Sequence, residues 1–295
     1  MSDSISQEKA CALDVAVHTA ANALSDAGFD HVDALFSLAT GLGNLPTALD
    51  RSRQIPLSDV PGVPDLWRAQ TLVAGEVRGL SVWMLGDPAG DPPVATGAPS
   101  GAVEAWTPGF PSWLAAAMGA HFNVIATAGI ALDGGAERLG KLGIVQDHLN
   151  LSGRTPLIGL GGSHLGPLFP DLTDLHHEPL RRHALSHGEA LGLPVTEVIA
   201  ACTLGPTLLT PAERRYLAKT GANVAVQGLA TPLLASAHAG LSALSIVAIT
   251  DDGDRALDIR QIVARTEQLA PALDDLLLAL SGEIATLSAE LRESE

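Results

Sequence analysis

The chain has 295 residues, 46% of them hydrophobic, which is enough apolar material for a sizeable core and excludes a disordered chain. Its formal net charge is −16, from 33 acidic against 17 basic residues, and no Lys/Arg cluster interrupts that balance, so nucleic acid and an anionic membrane are poor partners. Aromatic residues make up only 3%, which leaves Ala, Leu, Val and Ile to fill the core and favours helices packed on a parallel sheet.

In chain order, residues 7–27 carry Leu13, Val17, Ala20 and Leu24 at helical spacing and stop before Gly28, which predicts an amphipathic helix. Residues 32–38 form a short apolar run leading into ATGLGNLP, read as strand, glycine turn and helix start. Residues 75–86 predict a hairpin or paired strands, and the following DPAGDPPVATGAPSG a loop. Buried strands are predicted at 124–128, 143–148, 198–204, 224–227 and 243–250. Helical patterns at 211–221 and 232–240 separate several of them, and this alternation predicts a mostly parallel, covered sheet. The tail from residue 259 to 295 reads as one long helix, or two with a break near Pro271. With no internal repeat and no long linker, residues 1–295 are read as a single domain.

Cys11 and Cys202 lack metal-ligand spacing, which points to a reducing compartment. The first ten residues are polar and acidic, and no apolar run of about 18 residues occurs, so a cytoplasmic protein is expected.

Three segments then stand out together: DHLNLSGRTPLIG with GPLFPDLTDLHHEPLR at 147–181, LGPTLLTPAERRYLAKTGANVAVQG at 204–228, and ALSIVAITD at 243–251. With weaker echoes in ATGLGNL at 39–45 and ATAG at 126–129, their order and spacing resemble the trimeric, low-molecular-mass purine nucleoside phosphorylases and their methylthioadenosine phosphorylase relatives. The resemblance implies a three-layer α/β fold with a central mixed sheet curling towards a barrel, a homotrimer, and a pocket for a nucleoside-like small molecule. Residues 87–112 show no clear counterpart.

In that family phosphate attacks the anomeric carbon as the base leaves, held by Arg, hydroxyls and backbone N–H groups. By resemblance, Thr40 matches the phosphate-binding Ser of GSGLG, whereas Asp87 and Ala89 stand where the family's QGRFH places Arg and His. Glu76 takes the place of a second family His in one alignment. Gln227 and Gly228 occupy the place of a second hydroxyl, and Leu209 that of the Glu that binds purine. Asp251 matches the residue beside the base. The resemblance therefore implies catalytic roles for Thr40 and Asp251, and a pocket lined by Thr40, Thr127, Ala128, Leu209, Gln227, Gly228 and Asp251. Thr40 also reads as an ordinary turn residue, and Asp251 with Asp252 as a solvated turn.

His164, His176, His177, His183 and His187 form a cluster in sequence, and His183 and His187 stand four apart on a predicted helix. The matching family segment lies at the subunit boundary and holds no metal, so packing or surface roles are expected and no metal is assigned. Gly159, Gly161 and Gly162 lack dinucleotide spacing. No cofactor is expected, and phosphate is the candidate co-substrate. The functional expectation is a protein that binds or cleaves a nucleoside-like ligand, with weak or absent phosphorolysis. The alternatives are an inactive homologue with a binding or structural role, and a phosphate-independent hydrolase.

Overall fold

The computed structural model describes residues 11–39, 41–42, 45–88, 104–132, 135–252 and 259–294. The predicted N-terminal helix is α1 (Ala12–Asp26), which buries Leu13, Val17, Ala20 and Leu24. Two strands follow, β1 (Ala34–Leu38) and β2 (Asp50–Pro56), and then the hairpin of β3 (Thr71–Val77) and β4 (Leu80–Gly86). The hairpin turns through Arg78 and Gly79, whose φ angles of 50° and 82° are the doubly positive pair that matches the twist of a two-residue connection. The chain continues through α2 (Phe110–Ala117), β5 (Phe122–Ala131), α3 (Gly135–Arg138), β6 (Leu142–Asn150), α4 (Glu178–Ala190) and β7 (Val195–Thr203). It ends with α5 (Pro211–Ala218), β8 (Val224–Gln227), α6 (Ala230–Ala239), β9 (Ser242–Asp251) and α7 (Ile259–Ser294).

Among the described residues these strands form one mixed sheet in the order β2-β3-β4-β1-β5-β8-β7-β6-β9, and a further β5–β9 pairing closes its last five strands into a barrel. That closure is parallel and long, running from Phe122 opposite Ser242 to Gly129 opposite Ile249. Alternation explains why the open arm is covered on both faces. Phe36, Val82 and Met84 pack into one core beneath α4 and α7, while Leu35, Trp83 and Leu85 pack into another beneath α1 and α2. The barrel interior is filled by Val145, Val198, Val224, Val247 and Ile249.

Of the two readings of the tail the single helix holds: α7 runs unbroken through Pro271, since Leu269, Leu273, Leu276, Leu277, Leu280 and Ile284 are all buried along one stripe that holds the helix to the sheet. β2 is absent from the sequence reading because six of its seven residues are exposed, so it carries no apolar alternation. Its Arg53 instead donates to the carbonyls of Ala27 and Gly28 and lies over the Phe29 ring at 4.6 Å, blunting the sheet edge with charge.

Candidate functional site

A cavity of about 1100 Å³ opens where the ends of β1, β4, β7, β8 and β9 converge on the second half of β5. Its floor is the strand Thr127, Ala128 and Gly129, held in place by pairing with Val247 and Ala248 on one side and Val226 on the other. Gly129 is required at this crossing, because a Cβ would lie 2.5 Å from Val247 Cγ1 and 3.1 Å from the Ala225 carbonyl.

One wall is the segment 206–209 with the end of β8. Gln227 Nε2 donates to the Thr207 carbonyl at 2.7 Å and ties that segment down. Directly after it, Thr210 accepts a hydrogen bond from Glu213 N while Glu213 Oε2 accepts from Thr210 N, a capping box with Pro211 opening the helix. The TPAE motif is thus a helix start that sets Leu209 at the cavity wall. A further part of the wall comes from the loop after β6. There Asn150 Oδ1 accepts from Ser152 Oγ at 2.6 Å, its Nδ2 donates to the Arg154 carbonyl at 3.0 Å, and Arg154 is left half-buried on the wall. Farther along, Asp14 anchors the same loop to α1 by accepting from Ser163 Oγ and His164 N, at 2.6 and 2.8 Å.

Of the residues singled out in the sequence, Thr127, Ala128, Leu209, Gln227 and Gly228 all line the cavity, as does Asp87. Thr40 and Ala89 lie outside the described residues. Asp251 is 1% exposed at the end of β9 and is not among the cavity-lining residues, whereas its neighbour Thr250 is, with Oγ1 donating to the Gly129 carbonyl at 3.4 Å. Glu76 sits on β3 and pairs with Arg51 at 3.3 Å, away from the cavity wall.

The histidine cluster disperses. His177 caps α4 by accepting from Leu180 N and sets its ring edge-on to Phe122 at 5.3 Å, while His176 Nε2 meets His148 Nδ1 at 2.9 Å. Burial lowers the pKa of both His148 and His177, so neutral imidazoles are favoured there.

The sequence reading missed Arg154, Trp67, Glu104 and Trp106, all on the cavity wall. Trp67 Nε1 donates to the Thr107 carbonyl at 2.7 Å, and Trp106 Nε1 donates to Glu104. The signals were present: Arg154 lies inside the SGRTP of the strongest motif, and tryptophans are conspicuous in a chain that has only four. Among the described lining residues the charged side chains are Asp87, Glu104 and Arg154, and the remaining polar groups are mainly hydroxyls, Ser37, Thr127, Thr203 and Thr231 among them.

Residues 38–281 match the Phosphorylase superfamily. Purine nucleoside phosphorylase 1 of Geobacillus stearothermophilus is 28% identical over 239 residues, 79% of this chain and 84% of that protein. Its namesake in Bacillus subtilis is 26% identical over 256 residues, 82% and 89% respectively. Among solved structures, isoform 2 of Schistosoma mansoni purine nucleoside phosphorylase, in complex with cytosine and ribose-1-phosphate, superposes with a TM-score of 0.82 at 20% identity. The match covers 92% of this chain and 97% of that one. A schistosoma purine nucleoside phosphorylase in complex with hypoxanthine gives 0.83 at 20% identity, over 93% and 99%.

Proposed function

The chain belongs to the phosphorylase superfamily, and we propose that its cavity takes a nucleoside-like small molecule and serves N-glycosidic cleavage, with phosphate-dependent cleavage slow or absent. The observation that carries this reading is the make-up of the cavity wall, where Asp87 and Leu209 both face the space a ligand would fill. Phosphorolysis needs a doubly charged anion beneath the anomeric carbon. A carboxylate about 4 Å from one unit of that charge repels it by about 1 to 4 kcal/mol, or roughly ten- to a thousandfold in binding. Arg154 offers one guanidinium against the carboxylates of Asp87 and Glu104. At the base side the Leu209 side chain has no oxygen to accept from a purine N–H, so recognition rests on Gln227, the hydroxyls and apolar contact.

The same two residues favour a second reading, an inactive homologue that binds without cleaving. A third, hydrolysis by water, is supported by the hydroxyl-rich wall. Within this reading the protein is cytoplasmic and homotrimeric. Self-association is supported by Ile158, Leu168 and Phe169, which are 68%, 60% and 87% exposed on the loop that also lines the cavity.

The test is release of free base from inosine, guanosine and methylthioadenosine, followed by chromatography with and without phosphate, beside calorimetric titration of the same nucleosides. Binding with little phosphate-dependent release is expected. Fast release only with phosphate present overturns the reading. Release without phosphate selects the hydrolase, and binding with no release in either condition selects the inactive homologue.

A further inference from the structure

Where α4 and α7 lie against each other, two imidazoles and a carboxylate converge that the cavity does not use. His183 and His187 stand one turn apart on α4, with their rings stacked and centroids 6.3 Å apart. Glu283 comes from α7, 96 residues beyond His187, and its Oε1 lies 2.8 Å from His187 Nε2 and 3.8 Å from His183 Nδ1. Each of the three offers one ligand atom, and these atoms all lie within 4.8 Å of one another. The side chains are 47%, 33% and 32% exposed, so an ion can arrive from solvent and keep water at its remaining position.

From this geometry we infer that α4 and α7 share a site for a divalent transition-metal ion, Zn²⁺ in the first instance, ligated by His183 Nδ1, His187 Nε2 and the Glu283 carboxylate. Zn–N and Zn–O bonds of about 2.0 to 2.2 Å at tetrahedral angles put ligand atoms about 3.3 to 3.5 Å apart. The two separations to Glu283 Oε1 bracket that distance, so on those two edges seating an ion asks for shifts of about half an ångström. Hydrogen bonding alone leaves the arrangement incomplete, because the carboxylate that contacts His187 is too far from His183 to accept from it. An ion engages all three.

Two imidazole nitrogens with one carboxylate are a borderline donor set that selects Zn²⁺, Ni²⁺ or Cu²⁺ over Mg²⁺ or Ca²⁺. The net charge of −16 adds a long-range attraction for cations. Since the ligands come from two helices, a bound ion cross-links them and stabilises the folded chain by mass action. A second cluster, Asp147 with His148 and His176, has ligand atoms as close together, but an ion there must break the 2.9 Å bond between the two imidazoles.

The experiment is calorimetric titration of the chelator-stripped full chain with ZnCl₂ near neutral pH, paired with thermal unfolding with and without Zn²⁺. One equivalent is expected to bind, to raise the melting temperature, and to be removed by chelator. Loss of a partner outside the coordination sphere already costs about 10- to 100-fold in metal affinity, so His183→Gln, His187→Gln and Glu283→Gln are each expected to cost at least about tenfold. Because the three side chains are partly exposed, these variants should keep the wild-type circular dichroism and metal-free melting temperature, which separates lost ligation from misfolding. Under the proposal His148→Gln retains the full equivalent. The proposal is overturned if no Zn²⁺ binds, if binding is undiminished in both histidine variants or in Glu283→Gln, or if only His148→Gln removes it.

Discussion

Lowering the pH should unfold this protein partly through one buried imidazole, and replacing His176 should remove that part of the response. His176 is 7% exposed, its Nε2 lies 2.9 Å from His148 Nδ1, and its Nδ1 is buried with no hydrogen-bond partner among the described residues. Burial first, then the charges of His148 and Arg181, push its pKa down from 6.5 to about 4, against an opposing pull from Asp147. The folded-state value is below the unfolded one, so the unfolded chain binds the proton more readily. The stabilisation is fully present above pH 6.5 and is lost as the pH falls towards 4. At about 1.4 kcal/mol per pH unit, the loss attributable to His176 is about 2 kcal/mol between about pH 7.5 and pH 5, and about 3 kcal/mol by pH 4. The perturbation is His176→Gln, which does not titrate, and the assay is urea denaturation of wild type and variant across this range. The variant starts less stable, having lost the ring contacts with His148, and the gap to wild type narrows by about 2 kcal/mol between about pH 7.5 and pH 5. Contributions from titrating groups remote from His176 largely cancel in the difference. A gap that stays constant across the range refutes the reasoning.

Leu209→Glu places a carboxylate at the cavity wall, and since a hydrogen bond to a charged group contributes about 1.5 to 3 kcal/mol, guanosine should bind roughly tenfold or more tightly by calorimetry. Unchanged affinity would remove Leu209 from the base side. Asn123 is fully buried, accepting from Ser37 Oγ and donating to Ser112 and Ser236 Oγ, at 3.1, 3.3 and 2.9 Å. Asn123→Ala opens a void and takes one hydrogen-bond partner from each of the three hydroxyls, at a cost of about 2 to 4 kcal/mol, read as a lower melting temperature. Burial pushes the Cys202 thiol up to about 12, while Cys11 is half-exposed at the start of α1. A thiol-specific reagent should therefore titrate one cysteine rapidly in the folded protein and the second only after denaturation.

In the barrel β5, β8 and β9 were legible because they are buried on both faces. Residues 224–227 read as an apolar run and form β8 with those bounds, and the run at 243–250 lies within β9. β2 was illegible for the converse reason, since an exposed polar edge strand is specified by its partner β3 and not by its own pattern. At Pro271 the local rule pointed to a break, and a continuous stripe of buried leucines outweighed it.

The site divides along the same line. The motifs carrying Thr127, Gln227 and Leu209 were visible in the sequence, and the structure brings all three to one cavity. That Arg154, Trp67 and Trp106 share its wall was decided only by the tertiary structure, as was the absence of Asp251 from its lining, because facing depends on how β5 and β9 close the barrel. Glu283 reaches His183 and His187 only through the packing of α4 on α7.

By itself the amino-acid sequence determined the order of the apolar strands, since periodicity is a local property, and it carried the motifs whose resemblance to a known family implied the fold. The tertiary structure alone decided which distant side chains share a cavity or a helix interface, because that depends on sheet closure and helix packing between segments up to a hundred or more residues apart.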